Sequence, residues 1–258
     1  MISGLRRIRK ISHQAATKEE TGTGFNSRFF SGVGNTPLLF HLEECHHYRI
    51  PFKDPGERLP FTRRPGETTV TYLLCGSLKF TTSGGIQESM SPGSCLWISS
   101  AGEKDVEFES TTPPSQEFWS VHVRASGSPG LERVPPLSCQ IRDATIPMHR
   151  GEDGIIVRVI AGEYEGLRGP LYAKSGTVLF LDVSIPPLTP LNISIPEKFL
   201  VLLYCLEGSG LRDFSSGSII RSSELIRYSR GEEISLSTET EEVRLLLIGG
   251  TGTALTEL

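Results

Sequence analysis

Histidine is missing from the whole stretch between His47 and His122 of this 258-residue chain. A metal centre built on imidazole cannot be drawn from that stretch. Cysteine offers no substitute. Cys45, Cys75, Cys95, Cys139 and Cys205 are odd in number and show no C-x-x-C spacing. They read as free thiols in a reducing compartment, with Cys75 and Cys205 as buried strand residues. No apolar run approaches the length that spans a bilayer. Neither sign of charge dominates: 26 Lys and Arg against 30 Asp and Glu leave a net −4, too mild for bulk attraction to nucleic acid. No G-x-S-x-G, Walker or dinucleotide-binding glycine pattern stands in the strand-to-helix setting it needs. Long apolar segments of helical period are also hard to find.

What remains is strand and turn. Short β-branched runs are separated by turn signals drawn from 27 Gly and 17 Pro, which argues for an all-β chain. One pattern occurs twice. Tyr72-Leu-Leu-Cys-Gly-Ser77 returns as Tyr204-Cys-Leu-Glu-Gly-Ser209, each time closing an apolar run. Each copy is followed by a turn, Ser91-Pro-Gly-Ser94 and Ser229-Arg-Gly-Glu232. Repetition of this kind predicts two similar β-units. The punctuation is that of a double-stranded β-helix, the jelly-roll variant called the cupin barrel. The expected fold is therefore a bicupin, two tandem cupin barrels over residues 1–140 and 141–258.

Strands are expected over residues 37–42, 70–80, 86–90, 95–99, 106–109 and 117–123 in the first half, with a hairpin turn at Ser83-Gly-Gly85. A loop-rich stretch from Arg124 leads to a connector over 141–153. The second half is expected to place strands over 154–162, 177–185, 199–206, 218–220, 234–236 and 243–248.

Gly66-Glu-Thr-Thr-Val-Thr-Tyr-Leu-Leu-Cys-Gly76 resembles the pirin signature, in which His-x-His-Arg-Gly-Phe-Glu-Thr leads into Val-Thr-Tyr. Val157-Arg-Val-Ile-Ala-Gly-Glu163, Gly169-Pro170 and Leu181-Asp-Val183 resemble the start of the pirin C-terminal barrel. The similarity runs from about Arg6 to Gly250. It implies one Fe(II) in the N-terminal barrel and none in the C-terminal one. It further implies a quercetin 2,3-dioxygenase-like activity in some members and a nuclear, iron-sensing role in eukaryotic ones.

The chain departs from the family where the metal sits. Counting back from Val70-Thr-Tyr72, the two leading histidine positions fall on Thr62 and Arg64. Counting on from Ala101-Gly102, the third falls on Glu107 and the family glutamate on Glu109. Only Glu109 keeps the pattern. Alternation places Glu107 and Glu109 on one face of a strand, and Arg64 carries a fork suited to a carboxylate. The expectation is an Arg64 pair with Glu109 or Glu107 in place of iron, against the plainer reading of solvated side chains at a barrel mouth.

His41, Cys45, His46 and His47 form a rival cluster, but one strand alone cannot surround a metal. His13, His122 and His149 stand singly and read as structural or surface residues. Asn192-Ile-Ser194 reads as a chance glycosylation sequon. The basic segment Met1 to Lys18 reads either as an amphipathic mitochondrial presequence or, through Arg6 to Lys10, as the family's first strand, and the resemblance favours the strand. The expected function is a non-catalytic pirin-like protein of cytoplasm or nucleus, with no cofactor, that binds a partner protein or small ligand. Nucleic acid and membrane are not expected partners. The alternative is a divergent Fe-dependent dioxygenase. A family segment that folds back across the first barrel is expected to be lacking.

Overall fold

The computed structural model describes residues 8–13, 25–31, 42–51, 58–59, 67–82, 84–98, 106–112, 117–126, 138–171, 178–228 and 231–251. They are almost entirely strand, joined by turns and one short 3-10 turn at Asp143–Thr145. The chain divides into two compact units, Ala15–Thr145 and Ile146–Leu258 joined by Met1–Gln14.

In chain order the strands begin with β1 (Ile8–His13), β2 (Phe25–Ser31), β3 (Leu42–Pro51), β4 (Arg58–Leu59), β5 (Glu67–Cys75) and β6 (Leu78–Thr82). There follow β7 (Gln87–Met90), β8 (Cys95–Ile98), β9 (Val106–Ser110), β10 (Glu117–Ser126) and β11 (Ser138–Ile141). The second half holds β12 (Met148–Arg150), β13 (Ile156–Ala161), β14 (Glu163–Tyr164), β15 (Leu167–Arg168), β16 (Val178–Ile185) and β17 (Pro190–Ser194). It closes with β18 (Phe199–Glu207), β19 (Ser209–Asp213), β20 (Ile219–Arg221), β21 (Glu224–Tyr228), β22 (Glu233–Thr238) and β23 (Val243–Thr251).

The first unit faces a six-stranded sheet, β11-β8-β5-β10-β3-β2, with a four-stranded one, β4-β9-β6-β7. Their common core takes Leu73, Leu96 and Ile98 from the larger sheet and Leu78, Phe80, Met90 and Phe108 from the smaller. The strand expected over 70–80 is broken in two. Gly76, at φ 85°, turns the chain from β5 into β6, a conformation that costs glycine nothing. Ser91-Pro-Gly-Ser94 closes as a type II turn, with Gly93 at φ 80° and the Ser94 N–H donating to the Ser91 carbonyl at 3.1 Å.

The second unit repeats the plan with a seven-stranded sheet, β1-β21-β18-β23-β16-β13-β12, and a four-stranded one, β17-β22-β19-β20. Period-two alternation sends Leu179, Leu181, Val183 and Ile185 of β16 inward. Val201, Leu203 and Cys205 of β18 and Val243, Leu245 and Leu247 of β23 join them. Each such aliphatic side chain contributes about 1.5–3 kcal/mol on full burial. Gly208, at φ 88°, repeats the role of Gly76 between β18 and β19. A Cβ there would collide with the Glu242 carbonyl oxygen.

The division departs from the sequence expectation at the N-terminus. β1 pairs antiparallel with β21, Ile11 opposite Ile226, so that strand belongs to the second unit. The boundary falls at Thr145/Ile146, after the strand β11 that completes the first large sheet. The strand expected over 37–42 lies outside the described residues apart from Leu42.

Candidate functional site

Strand β9 carries the two acidic positions at which the family pattern places a histidine and a glutamate. It pairs with β6 so that Thr81 stands opposite Glu107, Phe80 opposite Phe108 and Lys79 opposite Glu109. Phe108 is 3% exposed and belongs to the core. Glu107 and Glu109 share the opposite face, as alternation requires, and both are exposed. Glu109 is flanked in the ladder by Lys79 on β6 and Arg58 on β4, register positions at which opposite charges favour one another.

Thr62 and Arg64 lie outside the described residues. The pairing of Arg64 with either carboxylate therefore falls outside them too. Both glutamates are exposed, because Phe108 takes the inward position of β9.

These residues do not fit an iron centre. Arg64 offers a guanidinium with no lone pair to give, and Thr62 offers a neutral hydroxyl. The two carboxylates are exposed on the face of β9 opposite the core residue Phe108. Non-haem iron wants imidazoles and carboxylate converging on one point.

The larger sheet of the first barrel turns four polar side chains inward. Thr69 and Thr71 on β5 share the face of Leu73, and Ser120 and His122 on β10 stand opposite Leu73 and Thr71. All four are buried. Thr71 Oγ1 and His122 Nδ1 share a hydrogen bond of 2.8 Å. The Ser120 hydroxyl is fully buried and finds no hydrogen-bond partner among the described residues. In the second barrel Asp213 and Thr238 are buried beside the apolar core, and the Tyr228 hydroxyl donates to Asp213 Oδ2 at 2.9 Å.

His122 thus lies inside the barrel, a placement its isolation in sequence gave no means to foresee. The signal available was the alternation of β10, in which Ser120 and His122 share the parity opposite Val121. Of the rival cluster, His41 lies outside the described residues. Cys45, His46 and His47 are consecutive on β3, with His46 registered opposite His122 and His47 opposite Val121. Among the described residues no group of three or more His, Cys, Asp or Glu side chains is placed to hold a metal ion. Cys75, expected to be buried, is half-buried, while Cys95 and Cys205 are buried free thiols.

Comparison with known proteins agrees with the geometry of the fold. No family model matches the chain. A pirin-like protein of Arabidopsis thaliana is 26% identical over 202 residues, covering 77% of this chain and 70% of its own length. Pirin-like protein 2 of the same plant is 25% identical over 76% of this chain, and the match spans 61% of that relative. The chain resembles pirin-like proteins over about three quarters of its length, and its fold is an all-β bicupin. Among solved structures, the quercetin 2,3-dioxygenase of Acinetobacter baumannii superposes with a TM-score of 0.78 at 22% identity, covering 96% of this chain and 88% of that one. The bacterial pirin YhhW of Escherichia coli, solved in complex with nickel(II), gives 0.69 at 13% identity, covering 95% and 100%. Both share the all-β architecture of two barrels described above.

Proposed function

We propose that this pirin-like bicupin is non-catalytic and works by binding a small ligand or a partner protein. The observation that carries the reading is the setting of β9, with Phe108 in the core between two exposed glutamates. A pirin-type metal needs donors on the inward side of that strand, and this strand presents a benzyl group there. The missing histidines between His47 and His122 support the same conclusion. Fold alone does not confer chemistry, and the loss of donors from a retained scaffold leaves recognition as its use.

A second reading is kept because a quercetin 2,3-dioxygenase is among the structural neighbours. In that reading Glu107 and Glu109, with a ligand from elsewhere in the chain, would hold a metal for a divergent oxygenase. The two are separated by measuring dioxygen consumption with quercetin after incubation of the full chain with Fe(II) or Ni(II). The proposal expects no rate above the metal salt alone. A rate that saturates with quercetin and disappears in Glu109→Ala would establish the oxygenase instead.

A further inference from the structure

The second barrel carries a cavity of about 370 Å³ where β14 and the turn after it meet the end of β17 and the starts of β16 and β18. That volume lies within the range of small-molecule sites. Tyr164, Leu179 and Phe199 supply its apolar surface, and Glu163, Glu165 and Ser194 its polar rim. No described residue lining it is basic. Glu163 is engaged, accepting from Arg168 Nε at 2.9 Å across the hairpin. Glu165 makes no ion pair or hydrogen bond among the described residues, so its charge is available to an occupant.

The hairpin itself is unusual at this point. Tyr164 stands opposite Leu167, leaving Glu165-Gly166 as a two-residue loop with φ of 46° and 75°. That is the primed turn of a tight hairpin, in which Asn-Gly or Gly-Gly is the relaxed choice. A glutamate held in the left-handed region is strained, and such strain concentrates at functional positions. Tyr164 is fixed from behind by an edge-on contact with the His149 ring, centroids 5.7 Å apart. Its hydroxyl stays protonated well into the alkaline range, pushed up by burial first and then by the charges of Glu165 and Asp153.

We propose that this cavity binds a small organic cation, an ammonium group seated against the Tyr164 and Phe199 rings with Glu165 as its counter-charge. Aromatic faces attract a cation through their quadrupole, and the exposed Glu165 carboxylate at the rim adds an opposite charge. An anion would meet two glutamates with no compensating base in the described lining. The site is independent of the metal question, since none of its residues belongs to the first barrel.

The test uses the full chain and tetramethylammonium chloride, with sodium chloride at matched ionic strength as reference. Backbone amide shifts are followed by NMR. The proposal expects saturable shifts centred on residues 162–166 with a dissociation constant on the order of 1 mM. Affinity falls roughly tenfold in Glu165→Gln. Tyr164→Phe retains the ring and the binding, whereas Tyr164→Ala loses it. Because Tyr164 also packs against the barrel core, the exposed Glu165→Gln decides the matter if the alanine variant does not fold. Unchanged affinity in Glu165→Gln overturns the proposal, as do absent saturation in the wild-type chain or shifts centred elsewhere.

Discussion

Phe108 on β9 stands directly opposite Phe80 on β6, with ring centroids 6.5 Å apart and planes tilted by 48°. The pair fills the interior of the first barrel from the side on which the family pattern places metal ligands. Tilted aromatic contacts of this separation add to the gain from burial. Phe108→Ala is expected to destabilise the first barrel by about 3–5 kcal/mol, the range for a fully buried phenylalanine. Urea unfolding followed by tryptophan fluorescence measures it. A cost below about 1 kcal/mol would mean that Phe108 is not a core residue.

A second relationship crosses the larger sheet of the second barrel. Arg244 on β23 donates from Nε to Asp182 Oδ1 at 3.0 Å and from a terminal nitrogen to Oδ2 at 2.7 Å. Asp182 is 2% exposed. Arg244 is 24% exposed, so water meets part of its charge when Asp182 is removed, and Asp182→Ala is expected to cost about 1–3 kcal/mol. The double change Asp182→Leu with Arg244→Met is expected to cost less than Asp182→Ala alone. Chemical denaturation of the three proteins tests the ordering.

High pH should weaken the second barrel. Burial, reinforced by Glu224, pushes the Cys205 thiol from an ordinary 9.0 up to about 12. Burial, then the charge and hydrogen bond of Asp213, raises the Tyr228 hydroxyl well above its ordinary 10.0. Both groups keep their protons in the folded state after the unfolded chain has released them. The unfolded state then binds fewer protons, and stability falls as pH rises. The contribution is full below about pH 9 and is lost towards about 12 for Cys205. Urea midpoints at a series of pH values from 8 to 11 should decline from about pH 9 onward, less steeply in Cys205→Ala.

Ser120 gives a prediction of opposite sign. Its buried hydroxyl finds no partner among the described residues, so it carries a desolvation cost without a hydrogen bond in return. Ser120→Ala is expected to be neutral or stabilising by up to about 1 kcal/mol. A clear loss of stability would show that a bound water or ligand atom satisfies the hydroxyl in solution.

The repeated strand-and-glycine pattern was legible because its cause is local. Gly76 and Gly208 sit at φ 85° and 88° where each barrel's chain turns from one sheet to the other, a conformation that marks glycine from sequence alone. The alternation of Glu107 and Glu109 was legible for the same reason. Which face of β9 turns inward was not, because it depends on the register with β6, set by the fit of Phe108 against Phe80. The docking of β1 beside β21 was equally out of reach. That pair joins residues at the two ends of the chain, and no local pattern encodes the partner. The Asp182–Arg244 pair was hidden likewise, since a lone aspartate in an apolar run does not announce its cation.

Metal content of the purified full chain, by elemental analysis after expression in iron-supplemented medium, tests the central claim most directly. The account predicts folded protein with far less than stoichiometric iron, and no change in iron content in Glu109→Ala. Near-stoichiometric iron that is lost in Glu109→Ala would contradict it.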